Sequence, residues 1–250
     1  MKRYLLIFPF AALTLAITSA GSSSFALKAE NESVVNQSKD LTQDSFPDSP
    51  ADRYSRLTEL DYRRIAEELG VEIATIKAVS DIEAGKSHTG FYEPGKPVVN
   101  FDRSIFMSRL RKSGINIASA RKAHPEAFTR INTRKYGTYG KAQYARLNSA
   151  IEISNDIAKE SAFWGMFQIG GFNWRKCDVK SVDEFVDLMG ESEAMQLELF
   201  ARFIRANGMD KYLQSKNWRA FARAYNGSSY ASKGYHRRLA AAYQKYATKK

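Results

Sequence analysis

From Arg53 onward, apolar residues recur three and four positions apart in one segment after another, which is the pattern of amphipathic helices. Leu60, Ile65 and Leu69 follow Thr58 and Asp61, a pair able to cap a helix, and Gly70 breaks that segment. A second helix follows, with Ile76 and Val79 on one face, Glu83 at the end of the same stripe and Gly85 as a stop. Residues 86–101 contain Gly90, Pro94, Gly95 and Pro97 and predict a loop or a small irregular hairpin; within them, residues 98–101 are the one strand-like run. A short helix is expected over 104–112, a loop-rich basic stretch over 113–142 and a helix over 143–160. Residues 165–174 read as a compact Gly- and aromatic-rich turn. Further helices are expected at 182–189, 191–207, 209–216, 218–225 and 234–247. No repeat of fixed period appears. The pattern predicts an all-α domain with at most a small irregular β-hairpin.

Ahead of this domain the pattern changes. Lys2 and Arg3 precede a mostly apolar run from Tyr4 to Ile17, interrupted by Pro9 and Thr14, and small residues follow up to Ser24-Phe25-Ala26. This predicts a cleaved signal peptide over 1–26, the alternative being an uncleaved signal anchor; the run is short for a membrane span. Residues 27–52 are polar with two prolines and predict a flexible linker. The folded domain is expected over 53–250, in the periplasm or secreted.

Charge adds a partner class. The chain is formally +11, and losing Lys2 and Arg3 with the signal still leaves +9. Such a surface suits a polyanion: nucleic acid, anionic lipid or an acidic cell-wall polymer. Cys177 is the one cysteine, so an intramolecular disulfide and a Cys-rich zinc site are excluded. His88, His124 and His236 are scattered without ligand-like spacing. No metal and no cofactor is expected.

Chemistry concentrates at four places. Glu83, at the C-terminal end of a core-facing stripe, is poorly solvated and close to the negative end of a helix dipole; both favour its protonated form. A carboxyl that keeps its proton near neutral pH can protonate a leaving oxygen. The plain alternative is a helix-end carboxylate in water. Asp102 follows the strand-like run and could bring a second carboxyl across a cleft, or could simply cap the next helix. Residues 162–174 interleave aromatics with glycine, a composition suited to sugar faces and equally to a core turn. Within them Gln168 and Asn173 can hydrogen-bond hydroxyl or acetamido groups. Tyr225, followed by Asn226 and Gly227, can offer a hydroxyl to a substrate or merely end a helix.

In order, these parts are a helix-end Glu, a Gly-x-x-Gln-Ile turn and a Tyr-Asn-Gly run. Over residues 55–247 the chain resembles the N-acetylmuramidase domain of phage endolysins and bacterial cell-wall hydrolases, within the lysozyme-like superfamily. The most specific similarity lies in Ser161-Ala162-Phe163-Trp164-Gly165-Met166-Phe167-Gln168-Ile169-Gly170-Gly171-Phe172-Asn173 and in Trp218 to Gly227. The family's catalytic Glu, in a Val-Glu-Ser-Gly context, falls on Glu83, with Ala84 in place of Ser. The family's Phe-Glu-x-His-x-Phe segment is matched by Phe101-Asp102-Arg103-Ser104-Ile105-Phe106, a shorter carboxyl and no His.

The resemblance implies a lysozyme-like fold and cleavage of peptidoglycan between N-acetylmuramic acid and N-acetylglucosamine. Glu83 is then the general acid and Asp102 the candidate base or charge stabiliser. Trp164, Phe167, Gln168, Asn173, Tyr225 and Asn226 would line the sugar cleft. A monomer acting on glycan strands, with anionic wall polymers as further partners and no nucleic acid, is expected. The rivals are a lytic transglycosylase, a peptidoglycan-binding module without catalysis and, more weakly, a nucleic-acid binder.

Overall fold

A computed structural model describes residues 56–84, 89–130 and 139–248. The expected signal peptide and linker lie outside the described residues.

The first two helices are set by local chemistry. Helix α1 (Glu59–Leu69) starts in a closed capping box: Thr58 Oγ1 accepts from Asp61 N–H, and Asp61 Oδ2 accepts from Thr58 N–H at 2.8 Å. It ends at Gly70, whose φ of 64° lets the chain turn directly into α2 (Ile73–Ala84). Ile76 and Val79 on α2 are fully buried. Helix α2 packs mainly on the last helix, α11 (Tyr235–Ala247), so residues 152 positions apart meet at its C-terminal end.

Between them lie a hairpin, β1 (Phe91–Glu93) and β2 (Lys96–Pro97), and a three-stranded antiparallel sheet of β3 (Val99–Phe101), β4 (Ala162–Trp164) and β5 (Ile169–Gly170). Val99 pairs with Trp164 and Phe101 with Ala162. The mostly helical class follows the sequence pattern. The strand content extends further than a hairpin, because the 162–170 segment supplies two short strands that β3 needs as partners.

Helix α3 is Arg103–Lys112. Two stretches depart from the sequence reading. The basic stretch after α3 contains α4 (Ile117–Ala123), nucleated by Asn116, whose side chain accepts from Ser119 N–H. The helix expected over 143–160 is two, α5 (Tyr139–Ile151) and α6 (Asn155–Glu160), because Ser154 is fully extended (φ −165°, ψ 113°). Then come α7 (Val182–Met189), α8 (Glu193–Ala206), α9 (Asp210–Gln214), α10 (Trp218–Asn226) and α11.

Helix α8 runs through the core. Leu197, Leu199, Phe200, Ala201 and Ile204 are all inaccessible, so it is covered on more than one face. It also buries two polar side chains. Gln196 Oε1 accepts from Met166 N–H (2.8 Å), while its Nε2 donates to Met189 O (2.9 Å) and Gly90 O (3.2 Å). Glu193 Oε1 accepts from Gly90 N–H at 2.7 Å. Gly90 and Gly165 are glycines for this reason: a Cβ at Gly165 would lie 2.7 Å from Gln196 Oε1, and one at Gly90 only 2.2 Å from it. One buried amide thus ties the 89–101 segment and the Gly165 turn to the central helix. Gln196→Leu leaves Met166 N–H and Met189 O without partners, each worth about 1–3 kcal/mol, while Gly90 O keeps the bond from Val98 N–H. Urea unfolding should show a loss of about 2 kcal/mol or more.

Candidate active site

Glu83 occupies the last turn of α2. The residue is half-buried, but its Oε1 has no accessible surface and no hydrogen-bond partner. Its Oε2 accepts from the Tyr235 hydroxyl at 2.9 Å. Burial raises the Glu83 pKa to about 7. The Tyr235 hydrogen bond, the Asn226 amide and the charge of Arg238 oppose that rise without cancelling it. Asn226 is close enough to favour the anion, yet its Nδ2 is also buried without completing a hydrogen bond. A buried acceptor and a buried donor, each without a completed hydrogen bond, therefore lie close together.

Tyr235 is the first residue of α11, directly after Gly234 in the left-handed region (φ 61°). The Arg238 guanidinium lies 5.5 Å from its ring centroid. Burial and the adjacent Glu83 carboxyl hold the phenol pKa well above its ordinary value. Its place beside Glu83 depends on a contact across 152 positions, which the local sequence pattern does not reveal.

The aromatic turn has a different role from the one its composition suggests. Trp164 and Phe167 are 2% and 1% exposed, so neither presents a ring face to a sugar. Both belong to the hydrophobic core in this structure. Trp164 Nε1 donates to Lys159 O, and Phe167 stacks on Phe200 at 4.4 Å between centroids. Tyr225 stacks on Phe221 and donates its hydroxyl to Phe167 O at 2.6 Å. These side chains make a rigid floor under the turn. Gln168, at φ 47°, closes the turn with Nε2 donating to Gly165 O. Asn173 is half-buried in the 3-10 turn Gly171–Cys177.

Asp102 is the N-cap of α3: its Oδ1 accepts from Ser104 N–H (2.7 Å) and Ile105 N–H (3.0 Å). It adds to the field on buried Arg146, together with Arg103 and Glu126. Among the described residues, no hydrogen bond or ion pair joins Asp102 to Glu83. Asn caps a helix as well as Asp does, so Asp102→Asn should leave stability nearly unchanged and the rate within about tenfold, whereas Asp102→Ala should lose about 1 kcal/mol. Thermal melts alongside rate measurements on the two variants separate capping from chemistry.

A cavity of about 350 Å³ opens on the neighbouring face of α2, lined by Tyr62, Lys77, Ser80, Asp81, Ala84 and Glu193. Three of its charged side chains are engaged, Lys77 by Glu59, Asp81 by Lys245 and Glu193 by Gly90 N–H. Glu83 is not among its lining residues. Among the described residues no three His, Cys, Asp or Glu side chains gather as a metal site requires. No described helix is long and apolar enough to cross a membrane.

A desolvated carboxyl at a helix end has the chemistry that acid-catalysed glycoside cleavage requires. A family model for N-acetylmuramidase matches residues 72–247, and the chain belongs to that family of peptidoglycan-cleaving glycosidases. Among solved structures it is similar to the Burkholderia AP3 phage endolysin, at 38% identity and a TM-score of 0.65, over 77% of this chain and 71% of that one. No curated protein matches it significantly.

Proposed function

We propose that the protein hydrolyses the glycan strand of peptidoglycan between N-acetylmuramic acid and N-acetylglucosamine, with Glu83 as general acid. The observation that carries this reading is the Glu83 carboxyl itself: desolvated, bonded at one oxygen only, and keeping its proton to about pH 7. Glu83 gives that proton to the glycosidic oxygen, the C–O bond breaks with its electron pair on the leaving sugar, and water adds at the anomeric carbon, its released proton returning the Glu83 carboxylate to the acid form. The unpaired Asn226 Nδ2 is a donor for a substrate hydroxyl or acetamido oxygen, and Gln168 and Asn173 supply further polar contacts. Trp164, Phe167 and Tyr225 support the cleft from beneath. Asp102 enters at most through its charge. Export through residues 1–26 would bring the enzyme to the wall. The net positive charge would hold it on carboxylate- and phosphate-bearing polymers.

One observation favours a second reading. Both backbone contacts of Asp102 Oδ1 belong to the α3 cap, so of these two carboxyls Glu83 alone is arranged for acid chemistry. A lytic transglycosylase needs only such an acid, because the sugar's own 6-hydroxyl attacks. Mass spectrometry of digested peptidoglycan decides. Borohydride-reducible muramic acid ends are expected. Non-reducible 1,6-anhydro ends, lighter by one water, would move the protein to the transglycosylases. Absence of any soluble fragment would leave a binding module.

A further inference from the structure

We propose that Tyr235 is a positioning residue that decides which oxygen of Glu83 carries the catalytic proton: its hydroxyl donates to Oε2, so the proton is held on Oε1, and the same hydroxyl steadies the carboxylate left after transfer. The inference rests on the reading of Glu83 as general acid.

The two oxygens of Glu83 are not equivalent. Oε2 is occupied by the Tyr235 hydroxyl at 2.9 Å, and Oε1 is buried with no partner. An oxygen that accepts an O–H hydrogen bond behaves as the carbonyl of the acid, which leaves the other to bear the hydroxyl. The phenol is suited to hold this arrangement over the working pH range, since it keeps its own proton far above neutrality. It is also fixed in place: Gly234 turns the chain so that Tyr235 opens α11, and Arg238, one turn on, covers its ring at 5.5 Å.

The surrounding groups point the same way. From α10, the Asn226 amide favours negative charge on both the Glu83 carboxyl and the Tyr235 oxygen, which turns the phenol proton toward Glu83. Tyr225, also on α10, cannot compete for Glu83 because its hydroxyl is committed to Phe167 O. From α11, Arg238 adds positive charge near the anion, while the neighbouring His236 ring packs edge-on against Tyr230. Oε1 has no accessible surface in this structure, so substrate binding must open the packing over it before the proton leaves Oε1 for the glycosidic oxygen. The C–O electron pair follows onto that oxygen, which departs as an alcohol. The charge that remains on Glu83 is taken up at Oε2 by the O–H bond already present there.

Tyr235→Phe removes that bond and little else. The test reads muropeptide release against pH, with kcat and KM separated, and a ¹³C-NMR titration of the Glu83 carboxyl. Three results are expected. First, kcat falls about 10–100-fold, at the lower end of general-acid contributions, with KM nearly unchanged. Second, the alkaline limb moves to higher pH, because a donor that favoured the anion is gone. Third, the NMR midpoint moves up with it. A folded Phe variant with unchanged limb and midpoint overturns the proposal. If the Phe variant does not fold, 3-fluorotyrosine at position 235 gives a stronger donor at the same place. It should move limb and midpoint down, and no movement overturns the proposal equally. The titration needs no turnover, so it separates this inference from the reading of the site, which fails instead if Glu83→Gln remains active.

Discussion

Replacing Glu83 by Gln will abolish wall hydrolysis and, at alkaline pH, make the protein more stable. The amide keeps the shape of the carboxyl and can still accept from the Tyr235 hydroxyl on its carbonyl oxygen. It has no proton to give to a leaving oxygen. General acid catalysis contributes about 10²–10⁴-fold. With no other described carboxyl bonded to this one, the loss should lie toward the upper end, read as turbidity loss of purified peptidoglycan. A folded Gln variant with near wild-type activity removes Glu83 from the chemistry.

The stability half of this prediction comes from the same burial. In the folded protein Glu83 titrates at about 7 rather than the ordinary 4.5, so between those values the native state binds more protons than the unfolded chain. Stability therefore falls as pH rises from about 4.5 to 7, and above 7 the full cost of an ionised, desolvated carboxyl is present. The Gln variant never carries that cost. It should match the wild type near pH 4 and exceed it by about 2 kcal/mol at pH 8, a figure kept below the full shift because the residue is only half-buried. Chemical denaturation at the two pH values measures the difference. Equal stability at both would mean that the carboxyl is better solvated than its surroundings indicate.

How far the sequence reaches is clearest at individual residues. The Thr58–Asp61 box, the Gly70 stop and the limits of α7 were legible because each depends on groups within four positions. Asn116 is also a local cap, and α4 could have been found from it. The break between α5 and α6 was hidden, because the apolar spacing of Leu147, Ile151 and Ile157 continues across the extended Ser154. Long-range pairings were out of reach. Gln196 meets Gly90 across 106 positions, and Tyr235 meets Glu83 across 152. Spacing within one helix says that Glu83 ends an apolar stripe, and nothing about which phenol bonds it. Trp164 and Phe167 mark another limit: aromatics among glycines suit a sugar platform and a packed turn alike. Burial against α8 makes this one the turn, while the carboxyl that spacing placed at the end of α2 is the one that burial perturbs.

Activity should fall on the alkaline side with a midpoint near pH 7. Glu83 is competent only while protonated, and its pKa of about 7 is set first by burial, then reduced by Tyr235, Asn226 and Arg238. Below the midpoint the acid form dominates and kcat/KM should sit on a plateau. Above it each pH unit removes about tenfold, so at pH 9 the value should lie about 100-fold below the plateau. A helix-end carboxylate in water would titrate near its ordinary 4.5 and place the limb there instead. The wall is itself charged, so binding must be separated from chemistry. The Glu83→Gln protein, unable to hydrolyse, serves for this: its binding to the same peptidoglycan at constant ionic strength should be nearly flat between pH 6 and 9, since Lys and Arg keep their charge across that range. Flat binding with a falling rate assigns the limb to the proton on Glu83. A rate that follows binding instead, or a limb near 4.5, removes the desolvated acid from the mechanism.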